Sequence, residues 1–274
     1  MTRRLGSLFD IADAYDLIVF DQWGVLHNGT RPYGQAVATV AGLHAGQNRL
    51  AVLSNSGKRG DENARRLEAM GFDRGHFDPV MTSGEALWQD MAAGRIPERL
   101  FFPMERAPGD AAAWARGLDV RFTDTVAEAE ALLLMGLPDD AAATAWEATL
   151  AAAGARGMTA YCSNPDVHSP RADGLVASPG AVARAYEKNG GTVYYYGKPH
   201  RPVFDALSPP GTARVLMIGD SLAHDIKGAA GVGWDSVLIE GGLLAGRPMG
   251  DADLEKMLVQ HKCPPPTYRM ETLA

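Results

Sequence analysis

At 274 residues, 46% of them apolar, the chain is long enough to bury one large core or two modest ones, and a packed globular structure is expected. The formal net charge of −7 argues against a nucleic-acid or anionic-membrane surface, because such partners need a cationic face. No stretch approaches the roughly 20 apolar residues of a membrane helix, and the basic start is interrupted by Asp10, Asp13 and Asp16, so no membrane span or signal peptide is read and a cytoplasmic location is expected. The two cysteines, Cys162 and Cys263, lie far apart without metal-type spacing and read as reduced thiols.

In chain order, residues from about Gly6 to Tyr15 read as a short amphipathic lead-in helix. Leu17-Ile18-Val19-Phe20 follows, four apolar residues that end at once in Asp21 and Gly24, the pattern of a buried parallel strand delivering a carboxylate at its C-terminal end. After a turn cluster at Asn28 to Tyr33, Ala36, Val37, Val40 and Leu43 suit a helix packed on a sheet. A second strand over Arg49 to Leu53 ends in Ser54-Asn55-Ser56, and a helix runs from Asn63 to Met70. Strand, helix, strand, helix with short joints is the signature of a parallel sheet. A third strand near Val80 to Thr82 is expected to lead into a Ser-capped helix.

Beyond residue 85 the texture changes to Ala-rich helices with short strands at Arg99 to Met104, Asp119 to Thr123, Ala131 to Met135 and Met158 to Ser163. Residues 86–177 are therefore expected to form a second α/β module inserted into a first module of residues 1–85 and 178–274. The first resumes with a helix from Ser178 through Tyr186, a strand over Thr192 to Tyr196, Lys198, and a short helix near Val203 to Leu207. The apolar strand Val215-Leu216-Met217-Ile218 then ends in Gly219 and Asp220, a helix carries Asp225, Trp234 to Ile239 forms another strand, and Pro264-Pro265-Pro266 opens an extended tail.

Open α/β sheets place their ligands at the C-terminal ends of their strands. Asp21 and Asp220 stand at two such ends, with Asp225 one helical turn beyond the second. Clustered carboxylates repel one another strongly at low dielectric, so the arrangement calls for a cation, and Mg²⁺ takes oxygen ligands of this kind. The alternative for Asp220 and Asp225 is a helix cap and a solvated helix residue, and Ser54 and Lys198, each read alone, are equally a cap and a loop lysine. Ser56-Gly57-Lys58-Arg59 lacks the preceding Gly and the spacing of a P-loop.

Phe20-Asp21-x-x-Gly24-Val25, Ser54-Asn55, Gly197-Lys198-Pro199 and Gly219-Asp220-Ser221-x-x-x-Asp225 together resemble the four motifs of the haloacid dehalogenase superfamily. Thr82-Ser83-Gly84-Glu85-Ala86, Ser163-Asn164-Pro165-Asp166 and Pro179-Gly180-Ala181 are similar to its class IIA branch. The resemblance implies a Rossmann-like core with an inserted α/β cap of the C2 type, Mg²⁺ dependence and small phosphorylated metabolites as substrates. It assigns Asp21 as the nucleophile that forms an aspartyl-phosphate, and Ser54 and Lys198 as its catalytic partners around the phosphoryl group. The metal falls to Asp21, Asp220, Asp225 and the backbone carbonyl of Trp23. Substrate contacts fall to Ser54, Asn55, Asn164, Asp166 and His168, where the last three could equally form a polar turn. A homodimer through the cap is implied by relatives.

One departure matters. In phosphatases of this family the residue two beyond the nucleophile is usually a second aspartate that protonates the leaving oxygen and later activates water; here it is Trp23. A positioned general acid/base contributes about 10² to 10⁴ in rate, roughly 3 to 5 kcal/mol of barrier. The expectation is a phosphohydrolase favouring good leaving groups, with His27, His200 and His224 as the sequence candidates for a replacement acid. A non-catalytic metal- and phosphate-binding protein and a dehalogenase-type hydrolase are the alternatives.

Overall fold

The computed structural model of the chain describes all residues except 1, 139, 141–142, 172–173, 208–212, 243, 247–249 and 274. It divides into two compact units, one of residues 1–54, 60–81 and 198–274, the other of residues 55–59 and 82–197. The fold is Rossmann-like α/β. No helix among the described residues is long and apolar enough to cross a membrane.

The first unit is built on a seven-stranded sheet ordered Arg3–Arg4, Tyr268–Met270, Asp235–Ile239, Val215–Gly219, Leu17–Phe20, Leu50–Ser54, Val80–Thr82. The central strands Leu17–Phe20, Leu50–Ser54 and Val215–Gly219 are buried along their whole length. Continuous aliphatic runs of this kind are what a parallel sheet covered on both faces requires. Phe20 pairs in parallel register with Val52 on one side and with Ile218 on the other. That register brings the C-terminal ends of three adjacent strands together, and with them Asp21, Ser54 and Asp220. Leu26, Val40, Leu43, Leu67 and Phe77 close one face of this sheet.

The second unit has a five-stranded sheet ordered Thr192–Tyr195, Thr159–Cys162, Ala131–Leu134, Leu100–Met104, Arg121–Phe122, all pairings parallel. An antiparallel pair, His168–Arg171 with Gly174–Ala177, stands apart from it. The helix Pro179–Lys188, opened by a proline at its first position, packs Val182, Ala183 and Tyr186 into this unit's core, and the Tyr186 hydroxyl donates to Met158 O at 2.6 Å.

Several local expectations are revised. The lead-in is two 3₁₀ turns, Leu8–Asp10 and Ala12–Ala14, because Ile11 between them has φ −130 and stops the helical ladder. The helix Ser83–Ala92 is capped by Thr82, whose hydroxyl accepts from Glu85 N at 2.9 Å, rather than by a serine. The segment after the prolines ends in the strand Tyr268–Met270, which adds to the main sheet beside Asp235–Ile239. Where 86–177 is expected, the second unit takes residues 55–59 and 82–197, and its reach to Gly197 follows from the Thr192–Tyr195 strand, which pairs with Thr159–Cys162.

Candidate active site

Asp21 leaves the Leu17–Phe20 strand with its backbone N–H donating to Ile218 O at 2.9 Å, so the backbone that carries the carboxylate is tied to the neighbouring strand. The chain then winds around one carbonyl: Gln22 O accepts from Leu26 N at 2.8 Å and from His27 N at 3.1 Å. Gly24, at φ +91, stands in the left-handed region this turn demands, and a Cβ there would lie 1.8 Å from Asp220 Oδ2. Gly242 leaves the same room on another side, since its Cβ would stand 2.3 Å from Asp220 Oδ2. Asp220 therefore sits in a cradle that side chains at positions 24 and 242 would fill.

Asp225 lies in a wide turn of helix, Leu222–Ile226, before the α-helix Lys227–Gly231. Its Oδ2 accepts from Ser221 N at 3.0 Å, and a Cβ on Gly219 would collide with its side chain. Asp21, Asp220 and Asp225, all buried, bring carboxylate oxygens within 4.8 Å of one another. Into this cluster Lys198 reaches from just past the second unit. Its Nζ donates to Asp21 Oδ1 at 2.5 Å and to Leu53 O at 2.9 Å, and lies 2.7 Å from Asp225 Oδ1. Ser54, the last residue of its strand, is buried beside Leu53.

Burial is the largest influence on Asp21 and pushes its carboxyl up to about 7; Lys198 pulls the other way and Asp225 adds to the rise. Burial also opposes charge on Lys198, but Asp21 and Asp225 outweigh it and hold the ammonium well above its ordinary value. The lysine thus stays charged while its carboxylate partner is held in a place that disfavours charge. Three buried carboxylates cluster while the ammonium pairs with two of them, Asp21 and Asp225, and Asp225 Oδ1, though beside it, has no aligned hydrogen bond among the described residues. This donor set, all oxygen and still net negative, fits a divalent cation of the Mg²⁺ type.

The remaining predicted residues fall into two groups. Trp23 is partly exposed; a Cβ on Gly29 would stand 3.3 Å from its Nε1, and Arg66 donates to Gly29 O at 2.6 Å. Asn55, Asn164, Asp166 and His168 belong to the second unit. There Asn55 Nδ2 donates to Asp166 Oδ1 at 2.7 Å, and Asn164 Oδ1 accepts from Asp166 N at 3.0 Å, so the Asn-Pro-Asp segment is a polar turn tied to Asn55. His168 begins the antiparallel pair opposite Ala177. Two neighbours of the carboxylates were not found from sequence. Gly242 is one, signalled only by the Gly241-Gly242 pair after an apolar strand. Tyr33 is the other: burial first, and then the charge of Asp220, raise its phenol, and nothing in the local sequence marks it.

His27 is buried in the loop that follows the Leu17–Phe20 strand. Its Nδ1 accepts from Gly29 N at 3.0 Å, and its Nε2 has no partner among the described residues. Burial, and then Arg66, push the imidazole down from 6.5 to about 4. The native state therefore binds fewer protons than the unfolded one between these values, and stability present above pH 6.5 is lost as pH falls toward 4. Urea unfolding across that window should show about 3 kcal/mol more loss in the wild type than in His27→Gln. Parallel curves for the two proteins would show that His27 does not titrate this way.

Residues 18–107, which hold Asp21 and Ser54, match the family of haloacid dehalogenase-like hydrolases, and residues 195–264, which hold Lys198, Asp220 and Asp225, match a HAD-hydrolase-like family. The chain belongs to the haloacid dehalogenase superfamily of hydrolases. It is 27% identical over 265 residues to the acid sugar phosphatase of Staphylococcus aureus, covering 94% of this chain and 95% of that one. A shorter alignment, 35% identical over 92 residues, relates it to the dihydroxyacetone phosphatase of Corynebacterium glutamicum and spans 32% of this chain and 33% of that protein. A haloacid dehalogenase-like hydrolase from Brucella suis 1330 superposes with a TM-score of 0.82 at 28% identity over 100% of both chains.

Proposed function

We propose that the chain is a Mg²⁺-dependent phosphohydrolase of small phosphorylated metabolites, working in the cytoplasm through an aspartyl-phosphate on Asp21 and favouring good leaving groups. The observation that carries this reading is the clustering of three buried carboxylates, two of them paired with Lys198, beside the ends of adjacent strands. The relatives, an acid sugar phosphatase and a dihydroxyacetone phosphatase, support the substrate class.

In this reading Asp21 supplies the attacking oxygen and Lys198 keeps it oriented while offsetting the charge of the incoming phosphoryl group. The Ser54 hydroxyl and the backbone N–H groups after it hold phosphoryl oxygens. Asp21, Asp220, Asp225 and the Trp23 carbonyl would hold Mg²⁺, which when bound neutralises the repulsion between a carboxylate and an anionic phosphoryl group. Asn55, Asn164, Asp166 and His168 are our assignment for substrate contacts, and the second unit for the cap and for a homodimer interface.

Trp23 gives the two competing readings their opening, since neither a binding protein nor a dehalogenase needs an acid there. The test is hydrolysis of p-nitrophenyl phosphate and of small sugar and triose phosphates with Mg²⁺ and after chelation. Turnover is expected with Mg²⁺, loss of at least 10²-fold on chelation, and recovery on re-addition. Metal binding without turnover on every ester would overturn the proposal in favour of a binding protein; metal-independent halide release from 2-haloacids would overturn it in favour of a dehalogenase.

A further inference from the structure

The loop from Gln22 to Gly34, which starts next to Asp21 in the chain, carries one arginine and no acid, in a protein whose formal net charge is −7. Its turn is shaped by its own side chains: Asn28 Oδ1 accepts from Thr30 N and from Arg31 N, both at 3.1 Å, and His27 Nδ1 accepts from Gly29 N at 3.0 Å. These bonds hold Gly29 at φ +101, in the region that glycine alone enters without strain, so the position a Cβ would take there stays open. Two N–H donors border that position, Trp23 Nε1 at 3.3 Å and Arg66 Nη2 at 4.0 Å.

Both donors keep bonding capacity. Arg66, exposed on the helix Gly60–Ala69, donates to Gly29 O at 2.6 Å, one bond for a guanidinium with five N–H donors. It pairs with no carboxylate among the described residues, whereas Arg65 beside it pairs with Asp61. Trp23 Nε1 makes no hydrogen bond among the described residues, although the side chain is partly buried. The place is also close to the carboxylates. The Cα of Trp23 lies within about 7 Å of that of Asp21, the most that two residues span, and its other neighbour, Gly24, abuts Asp220, since a Cβ there would lie 1.8 Å from Oδ2.

Resting on the phosphatase reading above, we propose that Trp23 Nε1 and Arg66 bind a second oxyanion of the substrate, carried by the alcohol part of the phosphate ester a few bonds from phosphorus. An oxygen standing where the Cβ of residue 29 would stand accepts from Trp23 Nε1, and the exposed Arg66 closes the remaining distance by a small side-chain movement and adds a charge-assisted bond. The turn is already held by Asn28 and His27, so little ordering is needed on binding. Trp23 is then a specificity residue, and the substrate class narrows to esters that carry a carboxylate or a second phosphate, which present the same oxygen chemistry. An ester of a neutral alcohol leaves both donors to water.

The test compares kcat/KM, with Mg²⁺, for each positional isomer of (carboxymethyl)phenyl phosphate and for its primary amide. The methylene keeps the two leaving phenols alike, so the acid-to-amide ratio reads the second charge alone. For at least one isomer the wild type should show a ratio of about 10 or more, the scale of a hydrogen bond to a charged group. The ratio should fall toward 1 in Arg66→Gln and drop in Trp23→Phe, with the change in KM. A substitution that only loosened the turn would lower acid and amide together, and a ratio that survives Arg66→Gln would overturn the inference. Benzenediol bisphosphates against the matching methoxyphenyl phosphates form a second arm, in which a preference for the bisphosphate assigns phosphate as the oxyanion. Steady turnover by the wild type with ratios near 1 in both arms would overturn this inference and leave the phosphatase reading standing. If no ester is turned over, that reading falls, and calorimetry of the corresponding benzylphosphonates with Mg²⁺ decides. Tighter binding of the acid than of the amide in the wild type but not in Arg66→Gln would support the oxyanion site, and equal binding would overturn it as well.

Discussion

Asp21→Asn is expected to lower kcat/KM for any phosphate ester by about 10⁴-fold or more, the scale seen when a covalent nucleophile is removed. The amide keeps the shape of the side chain but gives up the charge that attacks phosphorus. The rest of the cluster should survive the change, because Lys198 still lies 2.7 Å from Asp225 Oδ1 and still donates to Leu53 O. Burial already works against charge on Asp21, so replacing it by a neutral group costs little folding energy and should leave the urea midpoint near that of the wild type. The combination discriminates: lost activity with retained stability marks the nucleophile, whereas activity at the wild-type level would remove Asp21 from that role. The variant should also carry no phosphoryl adduct.

Lys198→Met should be the variant most damaging to the fold itself. Removing one member of a buried ion pair leaves its partners uncompensated and typically costs 3 to 5 kcal/mol, so a loss of about 3 kcal/mol or more is expected in denaturant unfolding under chelating conditions. Three carboxylates would then share a buried pocket with no cation, and Asp21, already raised to about 7, would rise further and protonate near neutrality. Mg²⁺ should therefore restore part of the lost stability in the variant, and more than it adds to the wild type, because in the variant it replaces the missing charge as well as filling its own place. An unfolding free energy unchanged by the substitution, or one indifferent to Mg²⁺, would show that the lysine does not hold the carboxylates together.

The parts of this protein legible in its sequence are those set by local pattern. Leu17–Phe20 and Val215–Gly219 announce themselves as buried strands because four apolar residues in a row have no other stable place, and each is followed by an aspartate. Pairing of Phe20 with both Val52 and Ile218 is a tertiary fact, yet sheet architecture makes it the natural outcome once the strands are parallel. What stayed hidden depends on contacts between distant residues. The roles of Gly242 and Tyr33 come from their closeness to Asp220, and neither position has a composition that says so. Nor does the tie between Asn55 and Asp166, 111 residues apart, follow from the turn residues at either end. The border of the second unit depends on the same kind of contact. Thr192–Tyr195 has the pattern of a strand but nothing that says which sheet receives it, and its exposed–intermediate alternation marks it only afterwards as an edge.

The strand Tyr268–Met270 has a reach beyond its three residues. Met270 O accepts from Glu240 N at 2.9 Å, and Glu271 O accepts from Gly241 N at 2.6 Å, so this late segment pins the loop whose next residue, Gly242, closes on Asp220. Arg3–Arg4 lies against the same strand on its outer side. The geometry of the metal-type cluster is thereby tied to a strand near the rim of the sheet, about 50 residues beyond Asp220 in sequence, through two backbone hydrogen bonds that hold the Gly241-Gly242 turn.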